Sequence, residues 1–337
     1  MKAIVLREHG TNDVLRLEKN FPDPQPGPQD VIIQVKASSL NYHDIFTRRG
    51  MPGINLPLPV IIGLDVAGEV IAVGSEVTQW RPGDRVLADP INRVDGGLLG
   101  ETTHGGLAER CRIPAHQLIA LPDTVSFAEA AALPVAYGTA MRMMQTIGNV
   151  RAGEKVLILG ASGGVGVCCV QLAKLAGAWV IACAGSEEKA QRLRELGADE
   201  TILYREEDFM KTIFARHGKP SRRRSADEPG GVDVVVNFTG GDSWVKSLRV
   251  LRVGGRLLTC GATAGFAPQE DIRYIWTYEL RILGSNGWER EDLTTLLALV
   301  ASKKLRVVID RQWPLEQGAE ALASLEARRV FGKVVVG

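Results

Sequence analysis

The chain has 337 residues, 45% of them hydrophobic, more than one compact core usually needs, and its 40 Lys and Arg balance 39 Asp and Glu. That balance gives no net field to draw nucleic acid or an anionic membrane, so a small-molecule partner is expected. Cys111, Cys168, Cys169, Cys183 and Cys260 are odd in number and lack CxxC spacing, and no apolar run reaches about 18 residues, so a soluble protein of the reducing cytoplasm is expected.

Met1 to Leu6 reads as a first strand, too short for a signal-peptide core or a membrane span. Up to about residue 125 the apolar runs stay short and are punctuated by Gly and Pro, as in 31–35, 68–74 and 83–87, which predicts a β-rich domain over 1–126. From residue 127 helix-length segments alternate with apolar strands at 156–159, 179–183, 232–237 and 256–260. These are βαβ units of a doubly wound parallel sheet, an α/β domain over 127–288. Within it, 218–231 carries Lys219, Arg222, Arg223 and Arg224 among Pro, Ser, Gly and acids without periodicity, and reads as a surface loop or as a clamp for a phosphate-bearing substrate. Residues 279–286 read as an edge strand. An amphipathic stretch, 293–302, and a last strand, 333–336, are expected to return 289–337 to the first domain.

The strongest chemical signal is Gly160-Ala161-Ser162-Gly163-Gly164-Val165-Gly166, which follows the apolar strand 155–159 and opens a helical stretch to Gly177. Glycines there let the backbone approach a pyrophosphate, whose charge the N–H groups and dipole of the helix N-terminus stabilise. The second strand ends in Ala184-Gly185-Ser186 without the acid that would bind a ribose 2′-OH. Ser186 can donate to a 2′-phosphate and Lys189 can supply charge, so NADP is the expected cofactor.

Together with Gly105-Gly106-Leu107-Ala108-Glu109, the 130–140 segment and Gly254-Gly255-Arg256, this glycine turn resembles the medium-chain dehydrogenase/reductase superfamily, in the version carried by its quinone oxidoreductases. The resemblance spans nearly the whole chain. It implies a Rossmann domain plus a β-rich GroES-like catalytic domain, and a homodimer joined through the edge strand 279–286. It also implies a substrate-lining segment over 38–44, in which Asn41 would donate to a carbonyl, Tyr42 or His43 would deliver a proton, and Asp44 would hold the loop. Further cofactor contacts are implied at Thr139, Tyr204, Asn237, Thr239, Gly261 and Lys333.

The same alignment of segments places Asn41, Leu64 and an apolar residue near Ala131 where zinc relatives carry their ligands, and 89–108 contains no Cys, so no metal is expected. Without a Lewis acid a simple ketone is hard to polarise, whereas a quinone or an α,β-unsaturated carbonyl takes hydride at its distal carbon and spreads the charge. The expected activity is zinc-free, NADPH-dependent reduction of such acceptors. An enoyl-thioester reductase and a non-enzymatic NADPH-binding protein are the alternatives.

Overall fold

Val31, Ile33, Ala37 and Ser39 are wholly buried in the long strand Asp30–Leu40, and around it the β-rich half is built. A computed structural model describes residues 1–53, 56–222 and 230–337. Its contacts divide the chain into two units, Met1–Gly138 with Glu289–Gly337, and Thr139–Trp288.

In the first unit Asp30–Leu40 pairs antiparallel with Asp65–Val73, Arg110–Pro114 and Lys333–Val336. The last of these sets Val334 opposite Leu40 and Val335 opposite Ser39, which brings Lys333 to the end of the strand that precedes Asn41. Ile309–Trp313, Arg85–Ala88 and Leu118–Ala120 extend the sheet, and a separate three-stranded sheet holds Leu15–Glu18, Ala3–Leu6 and Val60–Ile61. The amphipathic stretch becomes the helix Arg290–Ala301, whose Leu293, Leu296 and Leu297 pack inward.

The expected boundary at residue 126 shifts to 138. Residues 127–138 stay with the first unit because their groups are tied into it: the Val135 N–H donates to Asp65 (3.0 Å), and the Tyr137 hydroxyl accepts from the Val308 N–H (2.9 Å). Leaving either donor unpaired in the interior would cost roughly 1–3 kcal/mol.

The second unit is a six-stranded parallel sheet in the order Glu200–Leu203, Trp179–Ala184, Lys155–Ile158, Val232–Val236, Leu251–Thr259, Arg281–Gly284. Numbered along the chain this is 3-2-1-4-5-6, the dinucleotide-binding order. The central strand buries Val156, Leu157 and Ile158 completely, and Arg281–Gly284 lies at the sheet edge. Arg223 and Arg224 of the expected surface loop lie outside the described residues.

Candidate functional site

The glycine turn has the local structure its sequence demands. Gly160 adopts φ +69°, a conformation that disfavours a side chain, at the carboxyl end of Lys155–Ile158. Gly163 is the N-cap of the helix Gly164–Leu175, so Gly164, Val165 and Gly166 form its first turn, whose N–H groups have no partner within the helix. A Cβ on Gly166 would lie 2.3 Å from the Gly160 carbonyl and 2.5 Å from the Ala161 Cα, so helix and turn are in backbone contact there. A Cβ on Gly163 would meet nothing closer than 3.6 Å. Ala161 is buried and Ser162 half-buried. A close-packed floor under an open glycine at a helix N-terminus fits a dinucleotide pyrophosphate.

Beyond Trp179–Ala184, Ser186 caps the helix Glu187–Glu195, its Oγ accepting from the Lys189 N–H at 3.4 Å. Its hydroxyl proton is left for another acceptor. Tyr204 is exposed, and its Oη lies 2.7 Å from where a Cβ on Gly185 would stand. Thr239 and Gly261 follow the carboxyl ends of Val232–Val236 and Leu251–Thr259, where such sheets bind ligands. Thr139, nearly buried, opens the second unit.

Asn237 departs from its expected role as a cofactor contact. It is fully buried; its Nδ2 donates to Ser243 Oγ (3.0 Å) and Ser247 Oγ (2.9 Å), and its Oδ1 accepts the N–H groups of Thr239 and Gly240. The amide is used up in shaping the loop after the strand.

The 38–44 segment of the first unit forms a buried polar cluster. Asp65 is fully buried and accepts from Ser39 Oγ (2.7 Å), Asn41 Nδ2 (2.8 Å), the Val135 N–H (3.0 Å) and Lys333 Nζ (3.3 Å). Lys333, 2% exposed, also donates to the Leu40 carbonyl (2.9 Å) and Asn41 Oδ1 (2.5 Å). Burial pulls the Lys333 pKa below its ordinary value, against the pull of Asp65 and Asp44.

Two expectations are corrected here. The Asn41 amide donates to Asp65 and to the Ser39 carbonyl (3.4 Å) and accepts from Lys333, so it does not offer an N–H to a substrate carbonyl. Lys333 is neither a cofactor contact nor an exposed charge, because its three N–H groups all point at acceptors inside the first unit. Neither Ser39 nor this ion pair was singled out from sequence, although a charge flanking the apolar runs 334–336 and 60–64 was a usable signal.

Asp44 holds the loop as expected, accepting the N–H groups of Asn41 (2.8 Å) and Gly63 (3.1 Å). Burial raises its pKa from 3.8 to about 6, opposed by the Asn41 N–H and by His43. Because the folded value lies above the unfolded one, the stabilisation linked to Asp44 is complete below about pH 4 and lost as pH rises through about 6. Asp44→Asn should therefore flatten the fall in urea midpoint between pH 4 and 6.5, and an unchanged slope would count against that assignment.

Tyr42, partly buried, packs against the core of the first unit, edge-on to Phe46 with ring centroids 6.0 Å apart. His43 Nε2 lies 2.5 Å from Glu101 Oε2, a partner that sequence did not suggest. Burial lowers the His43 pKa, but the hydrogen bond it donates to Glu101 and the charges of Asp44 and Glu101 outweigh it, so the net shift is upward.

Family comparison agrees with both halves of the fold. A model of the alcohol dehydrogenase GroES-like domain matches residues 27–123, and one described as zinc-binding dehydrogenase matches 196–336. The NADPH-dependent alkenal/one oxidoreductase of Arabidopsis thaliana is 34% identical over all of this chain and 79% of its own length, and the quinone oxidoreductase of Mus musculus is 32% identical over 95% and 92%. The chain belongs to the medium-chain dehydrogenase/reductase superfamily, in its quinone oxidoreductase branch. Among solved structures of this superfamily, an NAD-dependent alcohol dehydrogenase superposes with a TM-score of 0.90 at 37% identity, covering 100% of this chain and 99% of its own.

The metal in one family model's description does not fit these residues. Among the described residues no three His, Cys, Asp or Glu side chains gather in a way that could hold an ion. Asn41 and Leu64 supply neither thiolate nor imidazole, and the Lys333 ammonium beside Asp65 would repel a divalent cation.

Proposed function

We propose that this medium-chain reductase is a zinc-independent, NADPH-dependent enzyme that reduces quinones or small α,β-unsaturated carbonyls. The observation that carries the reading is the pairing of a complete dinucleotide turn with a lysine ion pair at the segments where zinc ligands would stand. The names of the alkenal/one and quinone oxidoreductase relatives support the substrate class. NADPH over NADH rests on the strand ending Ala184-Gly185-Ser186, which has no carboxylate for a ribose 2′-OH. Bound NADPH supplies the hydride. The chain holds its pyrophosphate at the first turn of Gly164–Leu175 and its 2′-phosphate at Ser186 and Lys189, with Thr139, Thr239 and Gly261 as further contacts. His43, one of the two expected proton donors, is held protonated more readily than a free imidazole, because its hydrogen bond to Glu101 and the charges of Asp44 and Glu101 outweigh its burial. NADPH oxidation with a quinone, an enone and an enoyl-CoA tests the reading. Turnover of the first two that a chelator leaves intact supports it. Preference for the thioester would favour the enoyl reductase, and turnover of none would favour a binding protein.

The same reading includes a cytoplasmic setting, supported by five free thiols, and a homodimer. Among the described residues the edge strand Arg281–Gly284 pairs on one side only, and Ile282, Trp276, Ile272 and Phe266 nearby in sequence are 40%, 62%, 64% and 82% exposed. An unpaired edge with apolar neighbours invites pairing with its two-fold copy. Light scattering should give about twice the 36.5 kDa chain mass, and Ile282→Lys should shift it toward one chain. A monomeric parent protein would reject the dimer.

A further inference from the structure

We propose that Arg205 is a specificity-determining residue for the cofactor, contacting the 2′-phosphate of NADPH together with Ser186 and Lys189; this rests on the NADPH reading above. Tyr204 and Arg205 follow the third strand of the sheet, Glu200–Leu203, which runs parallel to Trp179–Ala184 with Leu203 beside Ala184. Both side chains fold back over Gly185: a Cβ there would lie 2.7 Å from Tyr204 Oη and 3.6 Å from Arg205 Nε. The guanidinium is thus brought to the residue that precedes Ser186, at the carboxyl end of the strand where the adenosine ribose of a dinucleotide is read.

The charges around it leave it available. Glu207 pairs with Arg216, and Asp208 caps the helix Phe209–His217 and pairs with Lys246 (2.8 Å). Glu187, in the first turn of the helix that Ser186 caps, is paired with Arg194, so one of the two acids that would oppose a phosphate there is neutralised. Arg205 is exposed and takes part in no ion pair among the described residues. A planar guanidinium with parallel N–H groups suits a phosphate dianion better than a lone ammonium does, and the absence of a Cβ on Gly185 gives the Tyr204 hydroxyl and the guanidinium room to fold back beside the residue that precedes Ser186.

Calorimetric titration of the full chain with 2′,5′-ADP and with 5′-AMP isolates the phosphate from the rest of the cofactor. The parent protein should prefer 2′,5′-ADP. Arg205→Ala should cut that preference about 10-fold or more while leaving 5′-AMP affinity unchanged, as loss of a charge-assisted contact does, and Arg205→Lys should restore part of it. A preference that survives in Arg205→Ala, or an equal loss for both ligands, overturns the role of Arg205 and leaves the NADPH reading standing. A parent protein without preference overturns both.

Discussion

Lys333→Met is expected to destabilise the chain by about 3–5 kcal/mol, the cost of leaving one member of a buried ion pair without its partner. Lys333 is 2% exposed and Asp65 is fully buried, so water cannot take over the lost role. Asp65 would keep the donors of Ser39, Asn41 and Val135 but carry an unbalanced charge, while the Leu40 carbonyl and Asn41 Oδ1 would each lose a donor. The urea midpoint at pH 7, with an unchanged m-value, measures the loss. Adding Asp65→Asn removes the orphaned charge and should recover part of the stability. A further loss would show that Asp65 matters as an acceptor and not as an anion. NADPH affinity of folded Lys333→Met should be unchanged, since every N–H of the ammonium is already committed within the first unit.

Gly166→Ala and Gly163→Ala should separate packing from ligand contact within one turn. At Gly166 a methyl would be driven into the backbone of Gly160 and Ala161, at 2.3 and 2.5 Å, and backbone cannot rotate aside as a side chain does. Overpacking of that kind costs about 1–3 kcal/mol or more, and pushing the helix off the turn should also weaken NADPH binding. Gly163 has extended backbone, φ −85°, and open space around its Cβ direction, so alanine there should leave the melting temperature unchanged. The pyrophosphate needs that open space, and binding should fall about 10-fold or more, in keeping with the backbone approach that glycine permits. Thermal melts with and without NADPH read both effects. Equal stability losses in the two variants would refute the division.

The chain's own patterns reached far along its length. Strict strand, glycine turn and helix order from 155 to 177 specified the nucleotide unit, because glycine spacing and apolar periodicity are local properties. The strand at 333–336 and the edge strand near 282 were legible for the same reason. What the residues could not display was who their polar partners are. Asn41, Asn237 and Lys333 are residue types that suit ligand contact, and each is consumed internally once the sheet register is set: Val334 opposite Leu40 delivers Lys333 to Asn41, nearly 300 positions away in the chain. His43 found Glu101, and residues 127–138 stayed with the first unit through Asp65 and Val308, by the same kind of long-range hydrogen bond. Local periodicity decides where strands and helices lie, since it reflects which face must leave water. The fate of a buried donor or acceptor depends on every element that packs against it, and only the tertiary structure assembles those.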